Sequence, residues 1–187
     1  DRNRHGLNLG EGAGVLLLES PALAASRPGR EQARLAGYGS GCDAYHLTAP
    51  HPEGRGLRAA LDEALSAAGI KEEQIAFVNA HGTGTPDNDR VESRTLFARF
   101  PGVPFHSTKG FTGHTLGAAG GLEAAFTVAC LQRGEIPPSI GFAEPDPELP
   151  AAPAAAVTPV SGDFALSESL AFGGNNGVVI FARGGDA

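Results

Sequence analysis

Short apolar runs alternate with amphipathic helical segments in the middle of this chain, and this alternation most constrains its fold. Strands are predicted at Ile75–Asn79 and Val103–Ser107, where apolar residues are bounded by loop residues. Helices are predicted at Asn88–Phe100 and Leu116–Arg133, and Gly134 closes the second. The order strand, helix, strand, helix predicts parallel strands that are joined by right-handed crossovers.

Further elements are predicted on both sides of this repeat. Val15–Glu19 is expected to be a strand with Ala33–Gly39 as its partner, and His51–Gly69 a helix that Gly69 ends. Glu135–Pro159 is rich in proline and alanine and is expected to be an extended surface loop. Phe164–Leu170 and Gly177–Ala182 then predict a closing hairpin, so the class is α/β with a mixed sheet and flanking helices.

Composition narrows the functional classes. The 187 residues can bury one sizeable core, and the net charge of -7 argues against general affinity for nucleic acid or anionic membranes. No apolar run approaches the roughly 20 residues of a membrane span. Cys42 and Cys130 have no metal-type spacing, and Cys130 falls on what is predicted to be the buried face of a helix, as free cysteines often do. Free cysteines favour a reducing, cytoplasmic setting. The chain contains no methionine, so we expect that Asp1 is not the native start.

Two loops of small residues each carry a histidine after a predicted strand. His81 lies in NAHGTGTP, and His114 follows Lys109 in STKGFTGHTLG. Ligands of open α/β sheets bind beyond the carboxyl ends of the strands, so His81, His114 and Lys109 can face one pocket if the strands are neighbours.

A purely structural role is also compatible with each of these residues. Either histidine could be buried and bonded to the backbone, and Lys109 could be a solvated side chain. A metal site is also possible, although no third histidine or carboxylate ligand is obvious. Glu123 could lie on the surface, or point inward and need a partner.

Several separated motifs resemble one family in order and spacing. NAHGTGTP (79–86), STKGFTGHTLGAAG (107–120) and FGGNNG (172–177) are similar to the C-terminal half of β-ketoacyl-acyl-carrier-protein synthases, as are RHGLNLGEGAGVLLLE (4–19) and GCDAYHLT (41–48). The resemblance implies a thiolase-like layered fold and a homodimer or a heterodimer of condensing-enzyme subunits. It assigns residues 1–32 to the end of the N-terminal half and residues 33–187 to the C-terminal domain.

The family's reaction is a decarboxylative Claisen condensation between an acyl thioester and malonyl-carrier protein. The resemblance implies no resident cofactor, because phosphopantetheine is carried by the partner, an acyl carrier protein. It assigns catalysis to His81, His114 and Lys109. It assigns the pantetheine arm and the acyl gate to Thr48, Thr83, Thr85 and Phe172. Asn79, Glu123 and Ser167 fall where some members hold a structural cation, although Glu168 stands where asparagine is more usual.

The nucleophilic cysteine of the family lies in its N-terminal half, and no such motif occurs here. Neither Cys42 nor Cys130 suits a nucleophile at a helix start. We therefore expect this chain alone to be inactive, with the nucleophile in a missing N-terminal half. The alternatives are a non-catalytic partner that resembles a chain-length factor, and a module that only binds the carrier arm.

Overall fold

The computed structural model describes residues 1–27 and 32–184, and five of its strands form one mixed sheet. The strands are β1 (Ala33–Cys42), β2 (Ile75–Asn79), β3 (Phe105–His106), β4 (Glu135–Ile136), β5 (Thr158–Pro159), β6 (Phe164–Ala171) and β7 (Asn175–Arg183). The large sheet has the order β1-β7-β6-β2-β3. Strands β6, β2 and β3 are parallel, whereas β7 is antiparallel to both of its neighbours. Strands β4 and β5 form a separate two-stranded sheet.

Helices cover both faces of this sheet. They are α1 (Pro21–Ala25), α2 (Arg55–Ala68), α3 (Pro86–Arg99), α4 (Lys109–Thr112) and α5 (Ala119–Arg133). The apolar sides of α2 and α3 pack on one face around Leu61, Leu96 and Leu166. Helix α5 packs on the other face against Phe77 and Ile136. The structure therefore has three layers, with a hydrophobic core on each side of the sheet.

Glycines in β1 let α2 lie directly on the sheet. A Cβ atom at Gly37, Gly39 or Gly41 would approach a backbone oxygen of α2 to 2.1–2.3 Å. Only glycine permits so close an approach of helix and strand backbones.

Most of the predicted elements are present. Strand β2 has the predicted bounds, the closing hairpin is β6 with β7, and Gly69 and Gly134 end their helices in the left-handed conformation. The start predicted for the helix before β2 was wrong: α2 begins at Arg55, because Gly54 has φ 62° and cannot continue a right-handed helix. Strand β3 is shorter than predicted, with only two residues.

The strand predicted at Val15–Glu19 was also wrong. This segment has no regular structure, and the exposed fractions of Val15 and Leu17 are 92% and 85%. The partner that was predicted for it pairs instead with β7, as part of β1. An apolar run becomes a strand only where a sheet edge completes its hydrogen bonds, and the described residues supply none here.

Part of each predicted domain lies outside the described residues. Residues 28–31 belong to the predicted segment 1–32, and residues 185–187 end the predicted domain 33–187. Within the described part of the chain, no helix has the length and apolar character that crossing a membrane requires.

Candidate functional site

The two histidine loops leave the same edge of the sheet. Strands β2 and β3 are parallel neighbours, with Asn79 opposite His106, so their carboxyl ends lie side by side. The backbone N–H of Ala80 donates to His106 O at 2.8 Å, which extends the pairing into the first loop. Helix α4 and the turn that carries His114 follow β3 directly.

This arrangement brings His81, His114 and Lys109 together. The ring centroids of the two histidines are 5.3 Å apart and their planes meet at 86°. Lys109 Nζ lies 3.2 Å from His81 Nδ1 and also forms a buried ion pair with Glu123. Glu123 is therefore an inward residue of α5 whose partner is Lys109.

Hydrogen bonds determine which ring nitrogen of each histidine carries the proton. The Lys109 ammonium can only donate, so His81 Nδ1 must accept and the neutral ring carries its hydrogen on Nε2. The backbone N–H of Leu116 likewise donates to His114 Nδ1 at 3.1 Å. Both imidazoles thus keep Nε2–H free as a donor.

Burial and charge keep these rings neutral. Burial, assisted by the charges of Lys109 and His114, lowers the pKa of His81 to about 2. Burial and the Lys109 charge also lower the pKa of His114. Since a histidine is ordinarily half-protonated near pH 6.5, both rings are neutral donors at neutral pH.

Glu92 is a site residue that the sequence reasoning missed. Its buried carboxylate accepts from the backbone N–H groups of His81 (2.5 Å) and Gly82 (2.8 Å), and from Asn88 Nδ2 at 3.0 Å. Glu92 therefore fixes the backbone of the first loop from α3. The available signal was helical spacing, because Glu92 lies one position after Val91 and four after Asn88, on the inner side of α3.

Gly82 lets the first loop press against the second. Its φ is 49°, and a Cβ atom there would lie 2.5 Å from the side chain of Ser107. Ser107 Oγ donates to Gly82 O at 3.2 Å, which joins the loops directly. A larger residue at position 82 would force the two loops apart.

A cavity of about 390 Å³ opens beside the second histidine. Thr83, Lys109 and His114 contribute to its lining, together with the start of the chain and the loop after β4. The hydroxyl of Thr83 lies 2.9 Å from that of Thr85. Arg4 closes one side of the cavity by bridging Asp89 (2.9 Å) and Asp146 (2.6 Å).

Thr48 and Phe172 lie elsewhere, on the surface. Neither lines this cavity, and 70% of Phe172 is exposed. The two are near each other, since the N–H of Gly173 donates to Leu47 O at 2.7 Å. The structure thus places the residues predicted for the arm and the acyl gate in two groups, Thr83 with Thr85 and Thr48 with Phe172.

The residues predicted to hold a cation offer unpaired oxygens. Asn79 donates through Nδ2 to Glu123 O and Thr127 Oγ1, and its Oδ1 has no hydrogen-bond partner among the described residues. Glu123 Oε2 is also buried without a partner there, and Ser167 lies opposite Asn79 in the register of β2 with β6. Such oxygens fit a hard cation. Across residues 1–27 and 32–184, no three His, Cys, Asp or Glu side chains cluster as metal ligands would.

Glu168, the residue that stands where asparagine is more usual, has a buried carboxyl group beside these oxygens in sequence. It is fully buried in β6, and neither of its carboxylate oxygens has a hydrogen-bond partner in the part of the chain that the structure describes. Burial, and next the charge of Glu92, raise its pKa well above the usual range.

Comparison with known proteins gives this geometry a family context. Residues 32–143 match the family model "Beta-ketoacyl synthase, C-terminal domain". The chain is 40% identical, over 98% of its length, to a 3-oxoacyl-[acyl-carrier-protein] synthase 2 of Synechocystis sp.. A protein of the same name from Staphylococcus aureus is 41% identical over 96% of the chain. The chain spans 45% of the length of each of these relatives.

Solved structures of ketosynthases also match this chain. The ishigamide ketosynthase/chain length factor matches with a TM-score of 0.92 at 37% identity, over 99% of this chain and 46% of that one. A type II polyketide ketosynthase in complex with its acyl carrier protein, AntDE:AntF, matches with a TM-score of 0.90 at 31% identity, over 98% of this chain and 46% of that one. The fold is therefore that of the thiolase-like ketosynthases, here its C-terminal part.

Proposed function

The chain belongs to the β-ketoacyl synthase family, whose C-terminal domain it matches, and we propose that it supplies the histidine half of a condensing active site. The proposed reaction is the decarboxylative Claisen condensation of an acyl thioester with malonyl-carrier protein. The nucleophilic cysteine comes from an N-terminal half that precedes this domain in the complete enzyme.

The observation that carries this proposal is the pair of neutral Nε2–H donors on His81 and His114, with rings 5.3 Å apart. Decarboxylation breaks the bond between the malonyl carboxylate and the α-carbon, and the electron pair moves onto the thioester as an enolate. Preorganised donors stabilise such developing negative charge in a site that excludes water. Protonated imidazoles would also donate, but burial beside Lys109 disfavours them.

Condensation with the acyl-cysteine follows decarboxylation. The enolate carbon attacks the carbonyl of the acyl-cysteine, a carbon–carbon bond forms, and the cysteine sulfur leaves as thiolate. These steps exchange no electrons with an external oxidant or reductant, so their balance requires no redox cofactor. The Nε2–H groups of the two histidines donate hydrogen bonds to the oxyanions that form in both steps.

Further residues position these donors and the substrate arm. Lys109 fixes the tautomer of His81, and Glu92 holds the backbone of the same loop. We assign Thr48, Thr83 and Thr85 to the pantetheine arm, and Phe172 to the gate beside the acyl chain. A structural cation held by Asn79, Glu123 and Ser167 would neutralise buried negative charge beneath the site.

The complete enzyme requires partners. We propose that its substrates arrive on an acyl carrier protein, whose phosphopantetheine is the only prosthetic group involved, and that two condensing-enzyme subunits form a homodimer or heterodimer. We place it in the cytoplasm, where Cys42 and Cys130 remain the free thiols of the structure.

A non-catalytic partner subunit is the second candidate. One of the matching structures is the ishigamide ketosynthase/chain length factor, whose name includes a partner of this kind. The retained pair His81 and His114 favours the catalytic subunit. The residue at the nucleophile position of the upstream half separates the two, because cysteine there supports the enzyme and any other residue supports the partner.

The test uses the complete ketosynthase with the substitutions His81→Ala and His114→Ala. Each should lower the release of carbon dioxide from malonyl-carrier protein by about 100-fold or more, as the loss of an oxyanion donor does in other enzymes. Acylation of the cysteine, measured by intact mass, should continue. The exposed His5 offers a matched control, and His5→Ala should leave both steps unchanged.

Two results would contradict the proposal. Undiminished decarboxylation in both histidine variants would remove the histidines from the chemistry. Formation of a ketoacyl product by this chain without the N-terminal half would show that the nucleophile lies within it.

A further inference from the structure

The first histidine loop is supported at two points by carboxylates of α3. Glu92 accepts from the backbone N–H groups of His81 and Gly82, at the end of the loop that carries the histidine. Asp89 supports the other end, because its Oδ1 accepts from the backbone N–H of Gly84 at 3.2 Å. The two carboxylates therefore hold different parts of one loop.

Gly84 stands between two of the threonines assigned to the pantetheine arm. The hydroxyls of Thr83 and Thr85 lie 2.9 Å apart, so one donates to the other and the two form one polar unit. Gly84 has φ 76°, and a Cβ atom there would lie 2.9 Å from Gly6 O. The N–H of Gly6 donates to Gly84 O at 3.1 Å. The position of Gly84 therefore fixes the backbone from which both hydroxyls project.

A largely buried arginine holds Asp89 in place. Arg4 Nε lies 2.9 Å from Asp89 Oδ2, and Arg4 Nη1 lies 2.6 Å from Asp146 Oδ2. Only 12% of the Arg4 side chain is exposed, and 16% of each of the two aspartate side chains. Nη1 also donates to Asp1 O at 2.8 Å. Arg4 thus joins three segments that are distant in sequence: the residues before Gly6, the start of α3 and the loop after β4.

The charge of Arg4 helps to keep Asp89 an acceptor in this position. Burial, and next the charge of Glu92, raise the pKa of Asp89, whereas the amide of Asn88 and the charge of Arg4 lower it. Asn88 Nδ2 lies 3.3 Å from Asp89 Oδ1 and 3.0 Å from Glu92 Oε2, so it bridges the two carboxylates. Without Arg4, Asp89 would be a buried carboxylate beside a like charge.

We propose that Arg4 and Asp89 form a clamp that positions the threonines of the pantetheine arm and sets the affinity for substrates that carry this arm. This inference rests on the proposed function, since it takes the substrate to be borne on pantetheine. Both are positioning residues, because they act through Gly84 and not by contact with the arm. Glu92 holds the histidine end of the loop, so the clamp governs binding of the arm and Glu92 governs the chemical step.

The test measures kcat and KM for decarboxylation of malonyl-carrier protein by the complete ketosynthase. Asp89→Leu removes the acceptor of the Gly84 N–H and should raise KM about tenfold, as loss of one hydrogen bond to a charged group does, with kcat unchanged within about twofold. Asp89→Asn keeps an oxygen that can accept from Gly84 and should raise KM less. Calorimetric titration with phosphopantetheine should show the same loss of affinity, which separates binding from the kinetic part of KM.

Three further variants complete the comparison. If Asp89→Leu does not fold, Arg4→Met/Asp89→Leu removes both charges of the clamp and should show the same rise in KM. Arg90→Gln is the matched control: it removes an arginine from the next position of α3, where the ion pair with Asp87 at 3.1 Å is exposed, and should leave KM unchanged. Glu92→Gln should give the opposite result, a lower kcat with KM nearly unchanged.

The remaining outcomes overturn the proposal. An unchanged KM in Asp89→Leu, or an equal rise in Arg90→Gln, removes the clamp from binding of the arm. A fall in kcat with KM unchanged shows that Asp89 acts only on the chemical step or on stability. The same result for Asp89→Leu and Glu92→Gln shows that the loop does not have two separately held ends. If the unsubstituted enzyme releases no carbon dioxide, the proposed function fails, and the titration with phosphopantetheine still decides on the clamp.

Discussion

At the scale of single residues, Lys109 serves two partners at once. Its ammonium neutralises the buried carboxylate of Glu123 and fixes the proton of His81 on Nε2. Burial raises the pKa of Glu123, while the charge of Lys109 opposes that rise. Removing either partner of such a buried pair leaves the other as an unpaired buried charge, and the desolvation of that charge is then uncompensated.

We therefore expect Lys109→Met to lower the free energy of unfolding at pH 7 by about 3–5 kcal/mol. Without Lys109 the folded-state pKa of Glu123 rises further above its unfolded value, near 4.3. The loss is then largest at neutral pH and shrinks as the pH falls toward 4, where the carboxyl is protonated in the folded state and increasingly so in the unfolded state. Denaturant unfolding of the wild type and the variant at pH 4 and pH 7 measures this difference.

The double variant Lys109→Met/Glu123→Gln is the matched control, because it removes both charges and keeps similar volumes. It should regain much of the stability that the single variant loses. A deficit of the single variant that is equal at both pH values would contradict the role given to the Glu123 carboxylate.

At the scale of elements, glycine backbone conformations determine where helices begin and how closely loops approach. Helix α2 starts after Gly54 because a left-handed residue interrupts the predicted helix. The first histidine loop contacts Ser107 because Gly82 has a positive φ and no Cβ atom. The positive φ of each glycine is a local property of the chain. The close contact of Gly82, in contrast, involves a residue 25 positions away.

Gly82→Ala should therefore lower the free energy of unfolding by about 1–3 kcal/mol, because it combines backbone strain with a steric clash. Two glycines separate these causes. Gly102 has φ 79° with open space around its Cβ position, and Gly117 has open space and no positive φ. Thermal unfolding should rank the alanine variants Gly82, Gly102, Gly117, from the largest loss to the smallest. Equal losses at Gly82 and Gly102 would show that contact with Ser107 contributes nothing.

At the scale of the whole molecule, the segment Val15–Leu18 leaves four consecutive large apolar side chains exposed. A contiguous exposed apolar patch usually marks an interface. The chain spans 45% of its relatives, so the complementary half of a ketosynthase is the surface that we expect to cover it.

The chain expressed alone should then self-associate, and co-expression with the N-terminal half should give a stoichiometric complex. Val15→Lys/Leu17→Lys should reduce self-association and also weaken the complex, because both depend on the same apolar surface. Sedimentation velocity measures both effects. Val157→Lys, at an exposed apolar residue of the long loop, is the control and should change neither. A chain that is monomeric and unfolds cooperatively alone would contradict this expectation.

Local signals in the sequence were sufficient to predict several elements. Strand β2, the helix ends at Gly69 and Gly134, and the hairpin of β6 with β7 follow from apolar periodicity and from the conformations that glycine permits. The motifs around His81 and His114 also identified the family that the comparisons confirm. These signals lie within a few residues of each other, so no knowledge of distant contacts was needed.

Folding in three dimensions determines which strands are neighbours and what each buried polar group contacts. It places Glu92 under the His81 loop, pairs Lys109 with Glu123, and leaves Val15–Glu19 without the strand partner that its apolar pattern predicted. Each outcome depends on groups far apart in sequence, because a buried charge or an unpaired strand edge is stabilised only by what folding brings beside it.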